Sequence, residues 1–188
     1  RVPGARFRQG DVTRLPDPDG SYDAALSLLV IQFVPDRAAA IRELRRVTRP
    51  GGLVAAAMWD FVGGFVMQRV FMDTAASLMP AEADAFRARY LADSMGSPGR
   101  IAALFAAEGL LDVTDRDITI RQDLLCFADL WEPWELGQGV AGAFVVTLDE
   151  ARRTTLREAT RRAYLAGTPD GPRSFVATAR MAMARVPA

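Results

Sequence analysis

A small set of polar side chains, placed where apolar runs stop, carries whatever chemistry this chain performs. Asp11 ends a short stretch that reads as a strand, Gln32 interrupts the run from Leu28 to Val34, and Asp60 follows Trp59 at the end of another run. A carboxylate is an acceptor when ionised, and an amide both donates and accepts, so these positions suit hydrogen bonding to a ligand or proton handling. A polar residue inside an apolar run must find a partner or line a crevice, and for Gln32 we favour a contact to substrate or cofactor over a structural bond. Asp60 either orients or deprotonates an acceptor or caps a loop. Trp131 and Trp134 lie one turn apart and share a helix face, which fits either a core stripe or a substrate lid.

What is missing is equally informative. All 23 basic residues are Arg, and the chain has neither His nor Lys. No imidazole can act as a base or metal ligand, and no amine can form a Schiff base, which excludes Ser-His and His-metal hydrolases. Cys126 is alone, so no intramolecular disulfide or thiolate cluster forms, and it reads as a small buried hydrophobe. The 23 acidic residues bring the formal net charge to zero, and nothing calls for nucleic acid. No apolar run approaches the ~20 residues of a membrane helix, and the polar start with Pro3 and Gly4 is not a signal peptide, so a cytoplasmic protein is expected.

The elements that position these residues follow from periodicity. A short strand is expected from Phe7 to Gly10, and Leu15-Pro16-Asp17-Pro18-Asp19-Gly20 is turn chemistry. Tyr22 to Ile31 reads as a strand buried on both faces of a parallel sheet. Asp36 caps a helix whose apolar face is Ala38, Ile41, Leu44 and Val47, and Pro50-Gly51-Gly52 stops it. Leu53 to Trp59 is the next strand, completing a βαβ unit with a right-handed crossover. Helices follow over 65–79, 81–95 and 98–108, then a sheet-edge strand over 113–121 and a helix over 127–136. A glycine-rich loop at 138–142, a helix over 148–164 and a last strand over 174–186 complete the chain.

Three pieces occur in order: Gly10-Asp11-Val12, then Leu15 through Asp23, then Leu44 through Arg49 leading into Pro50-Gly51-Gly52. Together they resemble the class I S-adenosylmethionine-dependent methyltransferases, particularly the type 11 group similar to the quinone-biosynthesis enzymes. Val12 stands where the group usually has Ala, and Asp17 where it usually has Phe. The resemblance is specific over about Arg6 to Asp60.

It implies an α/β, Rossmann-like sheet with strand order three, two, one, four, five, seven, six, and a helical substrate-side insert. The chain then corresponds to the C-terminal part of one methyltransferase domain. Its stretches are a cofactor-side βαβ region over 1–60, a helical lid and substrate region with one edge strand over 61–145, and a closing helix and strand over 146–188. The first two strands and the glycine-rich loop would lie upstream, so the 188-residue chain is expected to be inactive and poorly stable by itself. S-adenosyl-L-methionine is the implied cofactor, with Asp11 and Val12 at its adenine and Ser27, Leu28 and Leu29 at its methionine portion. Gln32, Trp59, Trp131 and Trp134 are the substrate-side candidates, Gln32 and Asp60 the catalytic ones, and no metal is implied. The expected reaction is methyl transfer to a small organic acceptor, without nucleic-acid or membrane partners. The alternatives are a degenerate scaffold that has lost the cofactor site, and, less favoured, a nicotinamide-dependent Rossmann enzyme.

Overall fold

A computed structural model describes residues 3–188, so Arg1 and Val2 at the head of the first expected stretch lie outside it. Four strands form one sheet: β1 (Tyr22–Leu28), β2 (Thr48–Trp59), β3 (Leu111–Leu124) and β4 (Arg173–Arg185), in the order β1-β2-β4-β3. That order is the four, five, seven, six end of the sheet implied by the sequence. β1 and β2 are parallel, with Ala25 opposite Val54 and Leu28 opposite Ala57. β4 runs against β2, because the Gly51 N–H meets the Val186 carbonyl at one end and the Asp60 N–H meets the Thr178 carbonyl at the other. β3 is the expected edge strand, and its Thr119 hydroxyl pairs with that of Thr178 at 2.9 Å.

Among the described residues seven helices join these strands: α1 (Arg37–Val47), α2 (Val66–Leu78), α3 (Pro80–Tyr90), α4 (Arg100–Ala107), α5 (Phe127–Glu135), α6 (Gly139–Val145) and α7 (Glu150–Leu165). The chain divides into two compact units. One comprises residues 1–58, 98–116 and 180–188; the other comprises 59–97 and 117–179 and holds most of the helices.

In the first unit, α1 begins where the Asp36 carboxylate accepts the Ala39 N–H at 2.8 Å, satisfying one donor of the first turn. Its buried face is Ala40, Ile41, Leu44 and Val47, so Ala40 rather than Ala38 completes the apolar stripe. The helix ends at Val47 and β2 begins at Thr48, ahead of the Pro50-Gly51-Gly52 expected to stop it. Thr48 is buried, and its hydroxyl bonds back to the Leu44 carbonyl at 2.7 Å.

Two residues of α1 hold the turn that precedes β1. Arg46 Nε and Nη2 clasp both oxygens of Glu43, each at 2.8 Å. Arg46 Nη1 donates to the Asp17 carbonyl and the Asp19 carboxylate, and Nη2 also donates to the Leu15 carbonyl. Glu43 in turn accepts the Leu15 N–H at 2.7 Å. The Arg46 guanidinium, followed by the Leu15 amide, pulls the Glu43 carboxyl down to about 2. The Pro-Asp-Gly turn is thereby bonded to a helix rather than left to its own propensities.

Three expectations are corrected. Residues 7–10 form no strand: among the described residues nothing pairs with them, Phe7 is exposed, and an extended segment becomes a strand only against a partner. β1 is not buried on both faces. It has β2 on one side only, and Leu26 and Leu28 are 70% and 71% exposed. The stretch from Gln138 to Gly142 is not a loop but the start of α6. Gly137, at φ +78°, ends α5, and Gly142 lies so close to it that a Cβ there would meet the Gly137 carbonyl carbon at 2.5 Å. The glycines serve close helix packing there.

The second unit is built on rings. Phe71 of α2 packs on Trp134 and Phe144, with centroids 4.9 and 6.0 Å apart, and Phe144 packs on Phe86 at 5.3 Å. Phe127 joins Trp131 of α5 to Tyr164 of α7. Aromatic burial of this kind dominates a small core, and edge-to-face pairs add to it. No described helix is long and apolar enough to cross a membrane.

Two outcomes follow from these contacts. Gly96 lies against the β2 terminus, where an added Cβ would stand 1.9 Å from the Trp59 carbonyl oxygen. Gly96→Ala is expected to destabilise the protein by about 3 kcal/mol in urea unfolding, since backbone rather than a side chain must move. Arg46→Met is expected to lower the urea midpoint at neutral pH, because no other donor replaces its charge-assisted bonds. Glu43 is held below its ordinary value of about 4.5, so its stabilisation is complete above that pH and lost as pH falls toward 2. Acid unfolding of Arg46→Met should therefore be less steep than that of the parent between these limits.

Candidate functional site

In a parallel α/β sheet, ligands bind beyond the carboxyl ends of the strands, where the following loops diverge. β1 ends at Leu28, and the next residue, Leu29, has φ +61° while its N–H bonds to the Ala57 carbonyl at 2.8 Å. A leucine held in the left-handed region stores strain of about 1–3 kcal/mol, a feature concentrated at ligand sites. The chain then makes a single 3-10 turn, Ile31–Phe33, before Asp36 starts α1.

Against the segment 33–36 stands the turn 10–13, and together they line a cleft of about 490 Å³. The turn is fixed by Asp11. Its Oδ1 accepts both the N–H and the hydroxyl of Thr13 at 2.8 Å, and its carbonyl accepts the Arg14 N–H at 3.0 Å. The Thr13 N–H, then the Thr13 hydroxyl, hold the Asp11 carboxyl below the usual carboxylate range, so it is ionised and acceptor-only at neutral pH. Neither Asp11 Oδ2 nor the Val12 N–H has a hydrogen-bond partner among the described residues. Asp11 and Val12 both line this cleft, so an acceptor and a donor stand on consecutive residues of its wall.

The other candidates are placed as follows. Ser27 and Leu28 close β1 opposite Ala56 and Ala57, and the outer edge of that strand is unpaired among the described residues. Gln32 sits in the 3-10 turn at 8% exposure, its backbone carbonyl accepting from Arg37 Nη2 at 3.3 Å. Asp60 is buried, and its Oδ1 accepts the N–H groups of Val62 and Gly63 while its carbonyl accepts those of Gly64 and Phe65. That is a loop cap. Trp59, half-buried, packs on Phe65 at 5.1 Å, and Phe65 stacks on Phe61 at 6.1 Å. Trp131 is fully buried with its ring against Phe127 and Trp134. Trp134, half-buried, packs on Phe71 at 4.9 Å.

Asp11 and Val12 are thus joined with the segment leading into α1, in the first unit; Trp59, Asp60, Trp131 and Trp134 belong to the second. Two features escaped the residue patterns. The strain at Leu29 has no signature, because leucine is unremarkable at a strand end until its φ is known. Thr13 was visible as a polar neighbour two residues from Asp11, the spacing at which a carboxylate closes a turn on a backbone N–H.

Residues 1–56 match the methyltransferase-domain family. The chain is 33% identical over 118 residues to a demethylmenaquinone methyltransferase of Mycolicibacterium vanbaalenii, covering 58% of this chain and 52% of that protein. It is 35% identical over 130 residues to the protein of the same name from Beutenbergia cavernae, covering 63% and 53%. It therefore spans about half the length of these curated relatives. Among solved structures, a candidate methyltransferase of an antibiotic biosynthesis pathway in Anabaena variabilis matches with a TM-score of 0.60. That match has 16% identity and covers 98% of this chain and 74% of that one. A candidate methyltransferase of Bacillus halodurans matches with a TM-score of 0.51 and 13% identity, covering 97% and 78%. These structural likenesses speak to the fold alone. The ordered motifs and the family match make residues 1–56 similar to the methyltransferase-domain family, and the strand order is that of the Rossmann-like methyltransferase fold.

Proposed function

We propose that the full-length protein transfers a methyl group from S-adenosyl-L-methionine to a small organic acceptor. The observation that carries this reading is the cleft at the end of β1, where an ionised Asp11 and the Val12 N–H stand open on one turn. The adenine edge presents an exocyclic amine and a ring nitrogen, the complement of that acceptor and donor. The residues present therefore fit the adenine end of the cofactor.

When bound, S-adenosyl-L-methionine supplies an electrophilic methyl group on a sulfonium. The task left to the chain is to hold, orient and exclude water, since displacement at a methyl group depends on near-attack geometry. Asp11 accepts from the adenine amine, and Val12 donates to the ring. The strained Leu29 and the exposed strand end at Ser27 and Leu28 hold backbone groups in place for the amino-acid portion. Gln32 and Arg37 brace the turn behind them. No side chain is assigned as a base, and none is required for an acceptor that ionises itself.

The test is calorimetric titration of the full-length protein with S-adenosylhomocysteine, together with a methyl-transfer screen over small acceptors. Asp11→Asn is the informative variant. Its carbonyl oxygen can still close the turn on Thr13, but an NH₂ replaces Oδ2 and opposes the adenine amine. The expected result is retained stability with at least about tenfold weaker binding, the loss of a charge-assisted bond. Absence of binding by the parent protein would favour the scaffold reading, and undiminished binding by Asp11→Asn would remove the role given to Asp11.

A further inference from the structure

The second unit carries a concave site that the methyl-transfer reading leaves unused. α2, α3 and the residues flanking them enclose an open cleft of about 480 Å³, within the range of about 300–1,000 Å³ typical of small-molecule sites. Phe61, Val62, Met72 and Leu91 give it apolar walls. Into this apolar surface the two helices bring Arg69, Asp73 and Arg87.

The charges do not balance. Arg69 Nε donates to Asp73 Oδ2 at 2.6 Å, and Arg87 Nη2 reaches Asp73 Oδ1 at 3.2 Å, so one carboxylate serves two guanidiniums. Backbone carbonyls take some of the remaining donors: Val62 from Arg69 Nη1 at 3.2 Å, and Met72 from Arg87 Nη2 at 3.4 Å. Asp84 lies 4.0 Å from Arg87 Nη1 but is 76% exposed and outside the lining. Arg69 Nη2 donates to nothing among the described residues. A pair of guanidiniums fixed by one aspartate, above apolar walls, is a fork for a second carboxylate on an apolar body.

We propose that this cleft binds a small amphipathic carboxylate, its head on Arg69 and Arg87 and its apolar part against Phe61, Met72 and Leu91. Asp73 then has two opposed effects. It orients both guanidiniums, and it competes with the ligand for their donors. The proposal stands independently of the methyl-transfer reading.

The test is an NMR titration of the full-length protein with octanoate, acetate and 1-octanol. Octanoate is expected to bind at least about tenfold more tightly than either partial probe, because it alone meets both the fork and the apolar wall, with shifts confined to residues 61–92. Arg69→Gln and Arg87→Gln should each weaken octanoate by about tenfold, while Asp73→Asn should tighten it severalfold. Both arginines are partly exposed, at 57% and 37%, so their replacement should leave the fold intact; Arg69→Lys and Arg87→Lys provide charge-retaining variants. Equal binding of octanol or acetate, indifference to both arginine variants, or no tightening by Asp73→Asn would overturn the proposal.

Discussion

The first unit is organised by one guanidinium. Arg46 spends every donor nitrogen on fixed acceptors: Glu43 on its own helix, and the Leu15 carbonyl, Asp17 carbonyl and Asp19 carboxylate on the preceding turn. The Gly20 N–H returns the contact to the Arg46 carbonyl at 2.9 Å. A turn rich in Pro, Asp and Gly has several conformations of similar energy, and a planar fork with several partners selects one of them. That selection sets where β1 begins, and it anchors Leu15, which directly follows the turn 11–14. The ligand-side geometry therefore depends on a helix residue that touches no ligand.

This arrangement also clarifies how the sequence is used. Glu43 and Arg46 lie on the solvent side of a helix whose other face, Ile41, Leu44 and Val47, is core. By pattern alone they are an ordinary i, i+3 pair of modest value. Arg46 itself brings the Glu43 carboxyl well below its ordinary range, and the weight of the pair in the fold comes from contacts to residues far away in the chain, among them the Leu15 N–H on Glu43.

Much of the fold was legible for local reasons. The α1 face, the β2 run, the α7 helix and the closing strand all follow from periodicity and caps, and Asp36 caps α1 as its type and position suggest. What periodicity could not supply was partnership. Residues 7–10 have strand character but no neighbour to pair with, and Leu26 and Leu28 have apolar character but no cover. Likewise, Gly137, Gly139 and Gly142 look like a loop because glycine signals backbone freedom, whereas here they permit one helix to follow another at close quarters. The same distinction separates the candidate site residues. Asp11 could be singled out from its neighbours, while the buried state of Gln32 and Trp131 and the loop-capping bonds of Asp60 are tertiary facts. Arg69 and Arg87 meet at Asp73 only because α2 and α3 lie side by side.

The central claim is that the turn at Asp11, held in place from α1, reads the amine edge of a heterocycle through an open carboxylate oxygen and an open backbone N–H. Hydrogen exchange of the full-length protein with and without S-adenosylhomocysteine addresses it most directly, because the Val12 amide has no partner among the described residues and is expected to gain one on binding. The account predicts slowed exchange at residues 11–13 and over 29–36, with α7 unchanged. Ligand binding that leaves the Val12 amide exchanging at its free rate would contradict it.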